Sequence, residues 1–267
     1  MADTPIVIII LALIYISSLL LIGIFLFYRS IRTKLLNLRV LGFAFIGFVV
    51  DFILIFLKAP SFLINIVVNT CFILMTIFTY TTFYKGRKRL GTIFIGAVIL
   101  LRLIDCIARW NYNFTTPLAS PLTDESRIYY YIFQFAVRGE FTIGTGWLAY
   151  SSLSTYSNQR KMEDIEPWIQ KRYFILGIGA LVFLLQDLFV FLLPMDGTGY
   201  TSPQGIIVGI LLLIVSIFFG ATQLIGWIMP PKLKAYFNRD FQPKNSNQNV
   251  DEDLTEEELM KQLMEDV

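Results

Sequence analysis

The sequence predicts an all-α integral membrane protein: a seven-transmembrane-helix bundle with its N-terminus outside or lumenal and its C-terminus cytosolic. Three observations carry that expectation. Seven long apolar segments lie near residues 5–28, 40–58, 62–84, 90–109, 128–154, 173–193 and 205–229. Hydrophobic residues make up 55% of the 267-residue chain, with a mean hydropathy of +0.63. Basic residues fall in alternate connections between the segments. At 1.5 Å per residue, each segment can cross a hydrocarbon core of roughly 30 Å. Ile6–Ile16 and Ile207–Phe219 are apolar nearly all round, whereas a soluble helix carries one apolar stripe. Lipid admits only helices or closed barrels, and the ten-residue alternation of barrel strands is missing.

The first segment has no basic leader and no small-residue cleavage pattern, so it reads as an anchor, not a signal peptide. The second carries Asp51 and stops before Pro60. The third runs from Pro60 to the aromatic end Tyr80–Tyr84. The fourth carries Arg102 and Asp105, which share a helix face as i and i+3 neighbours. The fifth carries Gln134, Arg138 and Glu140; the last two point in different directions and must reach different partners. The sixth carries Gln186 and Asp187. The seventh stops at Pro230-Pro231, because proline cannot continue a helix.

Charge orients the bundle. The connections after segments one, three, five and seven hold about sixteen basic residues, among them Arg87, Lys88, Arg89, Lys232 and Lys234. The opposite connections hold Lys58, Arg127 and, at the edge, Arg109. The positive-inside rule places the rich side in the cytosol. The longest outer connection, 110–127, contains Asn113-Phe114-Thr115, a glycosylation sequon on the side that would face a lumen.

The domain reading follows. Residues 1–231 form the membrane domain, 232–242 a basic juxtamembrane segment, and 243–267 an acidic cytosolic tail with a short amphipathic helix near 255–266. Leu233, Tyr236 and Phe237 give the juxtamembrane segment an apolar side at near-helical spacing. Residues 245–267 carry a net charge of about −7. Membrane lipid and a cytosolic protein, reached through the basic loops and the tail, are the expected partners.

Ionisable groups inside lipid need a partner or water. Asp51, Arg102, Asp105, Arg138, Glu140 and Asp187 all fall in the middle or outer half of the membrane, with Gln186 nearby. They suggest one outward-facing polar cluster. Its use is either a ligand or ion site or a structural ion-pair network. Acids exceed arginines, which suits a cationic ligand or lets one carboxyl hold a proton. A weak repeat links Asp51–Leu57 to Asp187–Pro194 and allows a 3+1+3 transporter arrangement. No histidine occurs, which excludes histidine-based hydrolysis and histidine-ligated metal or haem. No phosphate loop, nucleophile elbow or nucleic-acid pattern is present. The expectation is no enzyme, no cofactor, no metal and no nucleic acid. Cys71 and Cys106 both sit inside segments, which argues against a disulfide framework.

Several stretches resemble a family. Lys58-Ala59-Pro60-Ser61 and Tyr80-Thr81-Thr82-Phe83-Tyr84 bound the third segment. Gln170-Lys171-Arg172-Tyr173 opens the sixth, and Trp227-Ile228-Met229-Pro230-Pro231-Lys232 closes the seventh. Together they look similar to the tobamovirus multiplication protein family and its animal seven-helix relatives. That resemblance implies a receptor-like membrane protein, often of endomembranes, that recruits cytosolic partners such as small GTPases. The closing Pro-Pro-basic run also resembles seven-helix sensor modules of microbial histidine kinases, which would require a separate kinase partner. The leading reading is a receptor-like or scaffold protein in the plasma membrane or an endomembrane, working in signal transduction. A small-solute or proton-coupled transporter is the alternative.

Overall fold

The computed structural model describes residues 6–57, 59–84, 87–110, 112, 114, 121–162 and 165–241; within these, the side chains of Ser61, Phe62 and Lys88 are not described. Asn113 and the acidic tail, including the helix expected near 255–266, lie outside the described residues. The described residues form helices α1 (Ile6–Thr33), α2 (Leu36–Phe56), α3 (Ser61–Phe83), α4 (Lys88–Ala108), α5 (Asp124–Gln159), α6 (Pro167–Phe183), α7 (Leu185–Val190), α8 (Pro203–Ile228) and α9 (Pro231–Asn238), with one 3-10 turn at Gly199–Thr201. No strand occurs among them.

Large apolar side chains cover the outward surfaces. Ile93, Leu100, Leu103 and Ile107 of α4 are all more than half exposed, as are Ile6, Ile10, Leu13 and Leu21 of α1. Water would not tolerate so continuous an apolar surface on a monomer. Six helical stretches are long and apolar enough to cross a membrane: α1, α2, α3, α4, α6 with α7, and α8. That is the pattern of a multi-pass membrane protein. The exception is α5. It is the longest helix at 36 residues, yet polar groups are spread through it. Gln134, Glu140, Thr145, Ser151 and Ser152 are all buried against neighbouring helices. Its polarity faces protein.

Neighbours in sequence pack side by side. α1 lies on α2, α2 on α3, α5 on α6, and α6 on α8; α1 meets α8 and α3 meets α5 to close the bundle. α4 leans on α3 and α5 from outside. α1 and α2 approach closely at Gly23 and Gly42. A Cβ on Gly23 would meet Ile46 at 2.8 Å, so the small-residue contact sets the spacing. The centre is aromatic. Phe183 and Phe219 stack at 4.2 Å, Phe45 lies 6.2 Å from Phe219, and Phe141 meets both Phe72 and Phe183 edge-on or tilted.

Helix ends are set by local chemistry. Thr123 and Ser126 form a reciprocal capping box on α5. The Ser202 hydroxyl accepts from the Gly205 amide at 3.0 Å, and Pro203 opens α8. A Cβ at Gly205 would lie 1.8 Å from the Gly199 carbonyl oxygen, so only glycine fits this corner. α8 ends at Met229, a non-glycine residue in the left-handed region (φ 41°). Its side chain is buried among Trp168, Ile169 and Tyr173, and that packing holds the conformation in place of a glycine. Pro230 and Pro231 then redirect the chain into α9. Leu233 and Phe237 pack on the same cluster, so much of the apolar side of α9 goes to protein and not to lipid.

Candidate functional site

The C-terminal part of α2, the start of α3, the end of α4, the first half of α5, and α7 with the start of α8 meet at one end of the bundle. They enclose a cavity of about 500 Å³. Asp51, Arg138 and Gln186 line it, together with Asn65, Asn69, Arg109, Tyr200 and Ser216. Phe52, Phe72, Phe114 and Phe133 supply aromatic wall.

A break in the sixth segment places two of these groups. Leu184 separates α6 from α7. Its amide bonds the Leu181 carbonyl at 3.2 Å, and the Asp187 amide bonds the Leu184 carbonyl at 3.1 Å. These i to i+3 bonds tighten the turn locally. Gln186 and Asp187 follow directly. The Gln186 amide donates to the Leu212 carbonyl at 3.3 Å and to the Ser216 hydroxyl. Asp187 stands behind the wall, where it accepts from Arg138 at 3.2 Å and from the Thr142 hydroxyl at 2.7 Å.

Arg102, Asp105 and Glu140 form a second layer. Asp105 is fully buried and accepts from Arg102 on one oxygen and from Arg109 Nε at 2.7 Å on the other. Arg109 also donates to the Phe114 carbonyl at 3.2 Å, and its guanidinium lies 4.2 Å from the centre of the Phe133 ring. Glu140 is 1% exposed, and its two oxygens have no hydrogen-bond partner. Its charged neighbours are Arg102, Asp105 and Arg109. Arg138 and Glu140 thus have different surroundings: Arg138 meets Asp187, whereas Glu140 has no hydrogen-bond partner.

Asp51 differs from the other acids. It is 8% exposed, lines the cavity, and its Oδ1 is buried without a partner. Among the described residues no arginine or lysine pairs with it. Its titratable neighbours are Tyr15 and Cys71.

Sequence reasoning placed Arg109 at a membrane edge, yet it is a central member of this network. It passed over Asn65, Asn69 and Tyr200, which are uncharged; two asparagines four apart near the outer end of a span were the available signal. Tyr200 is brought in by the loop after α7. There Thr198 donates its amide and its hydroxyl to Asp196 Oδ1, at 3.0 and 2.6 Å. Those bonds hold the Asp196 carboxyl below its usual range. Among the described residues no group of three candidate ligands could hold a metal ion.

The other end carries a second cavity of about 420 Å³ between α3, α4, α5 and α6. Tyr84, Phe94, Trp147, Ser151, Asn37 and Arg87 are among its lining residues. Phe94 stacks on Trp147 at 4.2 Å, and the Ser151 hydroxyl donates to Tyr84 at 3.2 Å. Arg89 and Lys232 are exposed nearby in sequence, whereas Lys234 lies 4.1 Å over the Trp168 ring.

Comparison with protein-family models, curated proteins and solved structures finds no match for this chain.

Proposed function

We propose that this chain is a receptor-like seven-helix membrane protein whose outer cavity takes a small ligand. In this reading α5 is the seventh span, the N-terminus is outside, and the C-terminus is cytosolic. A helix of 36 residues is about 54 Å long, more than a bilayer core requires. Its buried polar groups are covered by α3, α4 and α6, so it needs no apolar face all round. The single observation that carries the proposal is the 500 Å³ cavity, with a buried, partnerless Asp51 oxygen, in a chain otherwise built of apolar helices. A group of this kind in lipid is costly and marks a functional site by default. Basic loops, α9 and the acidic tail then serve a cytosolic partner or anionic lipid, in line with the resemblance to the tobamovirus multiplication protein family. The membrane is the plasma membrane or an endomembrane, and the chain carries no catalytic role.

The test is access. In a Cys71→Ala, Cys106→Ala background, Asn65→Cys and Val68→Cys are exposed to a membrane-impermeant thiol reagent in sealed vesicles. Labelling from the side opposite the basic loops is expected. Protection of both sites from that side, with labelling after detergent, would sink the reading.

A transporter is the second reading. It is favoured by the α6–α7 break beside Gln186 and Asp187, since discontinuous helices line transport sites. The consecutive packing of α1–α2–α3 and of α5–α6–α8, with α4 outside, also fits 3+1+3. Counter-ion-dependent solute uptake into vesicles would establish it over the receptor reading.

A further inference from the structure

The outer half of the bundle contains four acids and three arginines, and their partners divide them into groups. Arg138 and Asp187 neutralise each other directly. Arg102 and Arg109 share Asp105, and Glu140 is the second acid beside them. By count both sets are balanced, although Glu140 makes no hydrogen bond to its neighbouring arginines. One charge is left over, and it belongs to Asp51. It is also the one acid among the four that lines the cavity. Tyr15 and Cys71 beside it carry no charge at neutral pH by their ordinary acidities.

The cavity's remaining chemistry is mixed. Asn65 and Asn69 line it on α3, with Gln186 and Ser216 on α7 and α8. Phe52, Phe72, Phe114, Phe133 and Tyr200 present ring surface, which attracts cations through its quadrupole and accepts apolar bodies. The volume lies in the range of small-molecule sites and far exceeds what one bare ion fills.

We infer that the ligand of this cavity is a small organic monovalent cation: a protonated amine with an apolar, preferably aromatic, body. Its ammonium group pairs with Asp51, and its body packs against the phenylalanine walls. Arg109 and Arg138 do not attract an anion instead, because Arg138 is held by Asp187 and Arg109 by Asp105, which it shares with Arg102. The inference rests on the proposed role of the outer cavity and names the class of ligand it takes.

The probes are phenethylammonium, 2-phenylethanol and 3-phenylpropionate, which share a body and differ in charge. Each is titrated against the full-length purified protein in detergent, in potassium buffer, with thermal unfolding as the readout. Phenethylammonium is expected to raise the melting temperature in a saturable way, and to bind about thirtyfold more tightly than the alcohol, because it satisfies a desolvated charge. Phenylpropionate should give no saturable shift. Asp51→Asn, which keeps shape and removes charge, should unfold no earlier than the parent without ligand. It should also bring the amine down to the alcohol's affinity. Val68→Trp fills the cavity from α3 and should abolish the shift while leaving Asp51 intact.

Equal binding of the three probes, stronger binding of phenylpropionate, full amine affinity in Asp51→Asn, or saturation by sodium chloride alone would each overturn the inference. So would the absence of any shift with phenethylammonium. The cavity reading fails separately: it falls if the thiol-access experiment finds the cavity closed from the outer side. Binding of the alcohol or the propionate as tight as that of the amine, and abolished by Val68→Trp, would leave the cavity reading standing and remove the charge class.

Discussion

The two ends of the bundle handle positive charge in opposite ways. At the cavity end, Arg102, Arg109 and Arg138 are mostly buried and each meets a carboxylate. At the basic end, Lys171 rests on Tyr156, Lys234 on Trp168 and Arg32 on Tyr28, while the buried Arg172 lies over Trp227; at the cavity end only Arg109, over Phe133, adds a ring to its carboxylate among the described residues. Pairing is what a charge needs where water is excluded, because desolvation costs several kcal/mol per ion. Stacking suits a headgroup region, where the long stem lies on an aromatic body and the head keeps contact with water. The cavity end gathers its charges as ion pairs around a polar cavity; the basic end sets cations on aromatic rings. That difference supports a ligand site at the first and a partner or lipid surface at the second.

The comparison breaks most sharply at the Arg138–Asp187 pair. Arg138→Met leaves Asp187 charged and nearly buried, and should cost about 3 kcal/mol. Arg138→Met combined with Asp187→Leu removes both charges and should recover most of that loss. Unfolding of the purified protein in detergent, read as a double-mutant cycle, gives the coupling directly. Near-zero coupling would mean that this end is wet after all.

That Asp51 and Gln186 reach one cavity, with Asp187 beside Gln186, was legible in the sequence, because the count along each helix gives a common level. The way the charges divide was not. Asp51 and Asp187 open matching stretches of a weak repeat, yet one has a partnerless oxygen and the other accepts from an arginine and a threonine. That difference depends on which helix stands opposite, which a single sequence does not encode locally. Arg109 was legible only as the end of a segment; its reach back to Asp105 follows from i and i+4 geometry and could have been anticipated. The break at Leu184 has no proline or glycine at the site to announce it. The polar residues that make α5 the core partner of α3 and α6 also leave it outside the six stretches apolar enough to cross a membrane.

A smaller effect tests a buttressed acid at the basic end. Glu166 Oε2 accepts from the Trp168 indole at 2.5 Å and from the Asn238 side chain at 2.6 Å, which ties α9 to the start of α6. Charge strengthens both bonds. Glu166→Gln should cost about 1–2 kcal/mol. Hydrogen exchange should speed up across 231–238 and stay unchanged around Asp51. Faster exchange at both ends would show that the two regions are mechanically coupled.

The smallest effect is the most direct probe of stacking. Lys234→Ala removes the cation above Trp168 and should lower stability by about 0.5–1 kcal/mol, whereas Lys234→Arg should retain or improve it. Salt provides the contrast between ends. Lys234 is only half-buried, so mobile ions can reach it, and added salt should shrink the Lys234→Ala penalty. The Arg138→Met penalty should hardly change, because its pair is shielded from bulk ions. If salt erased both penalties alike, the charges at the cavity end would be in contact with water. Asp51 would then be hydrated, and a bound cation would gain little from pairing with it.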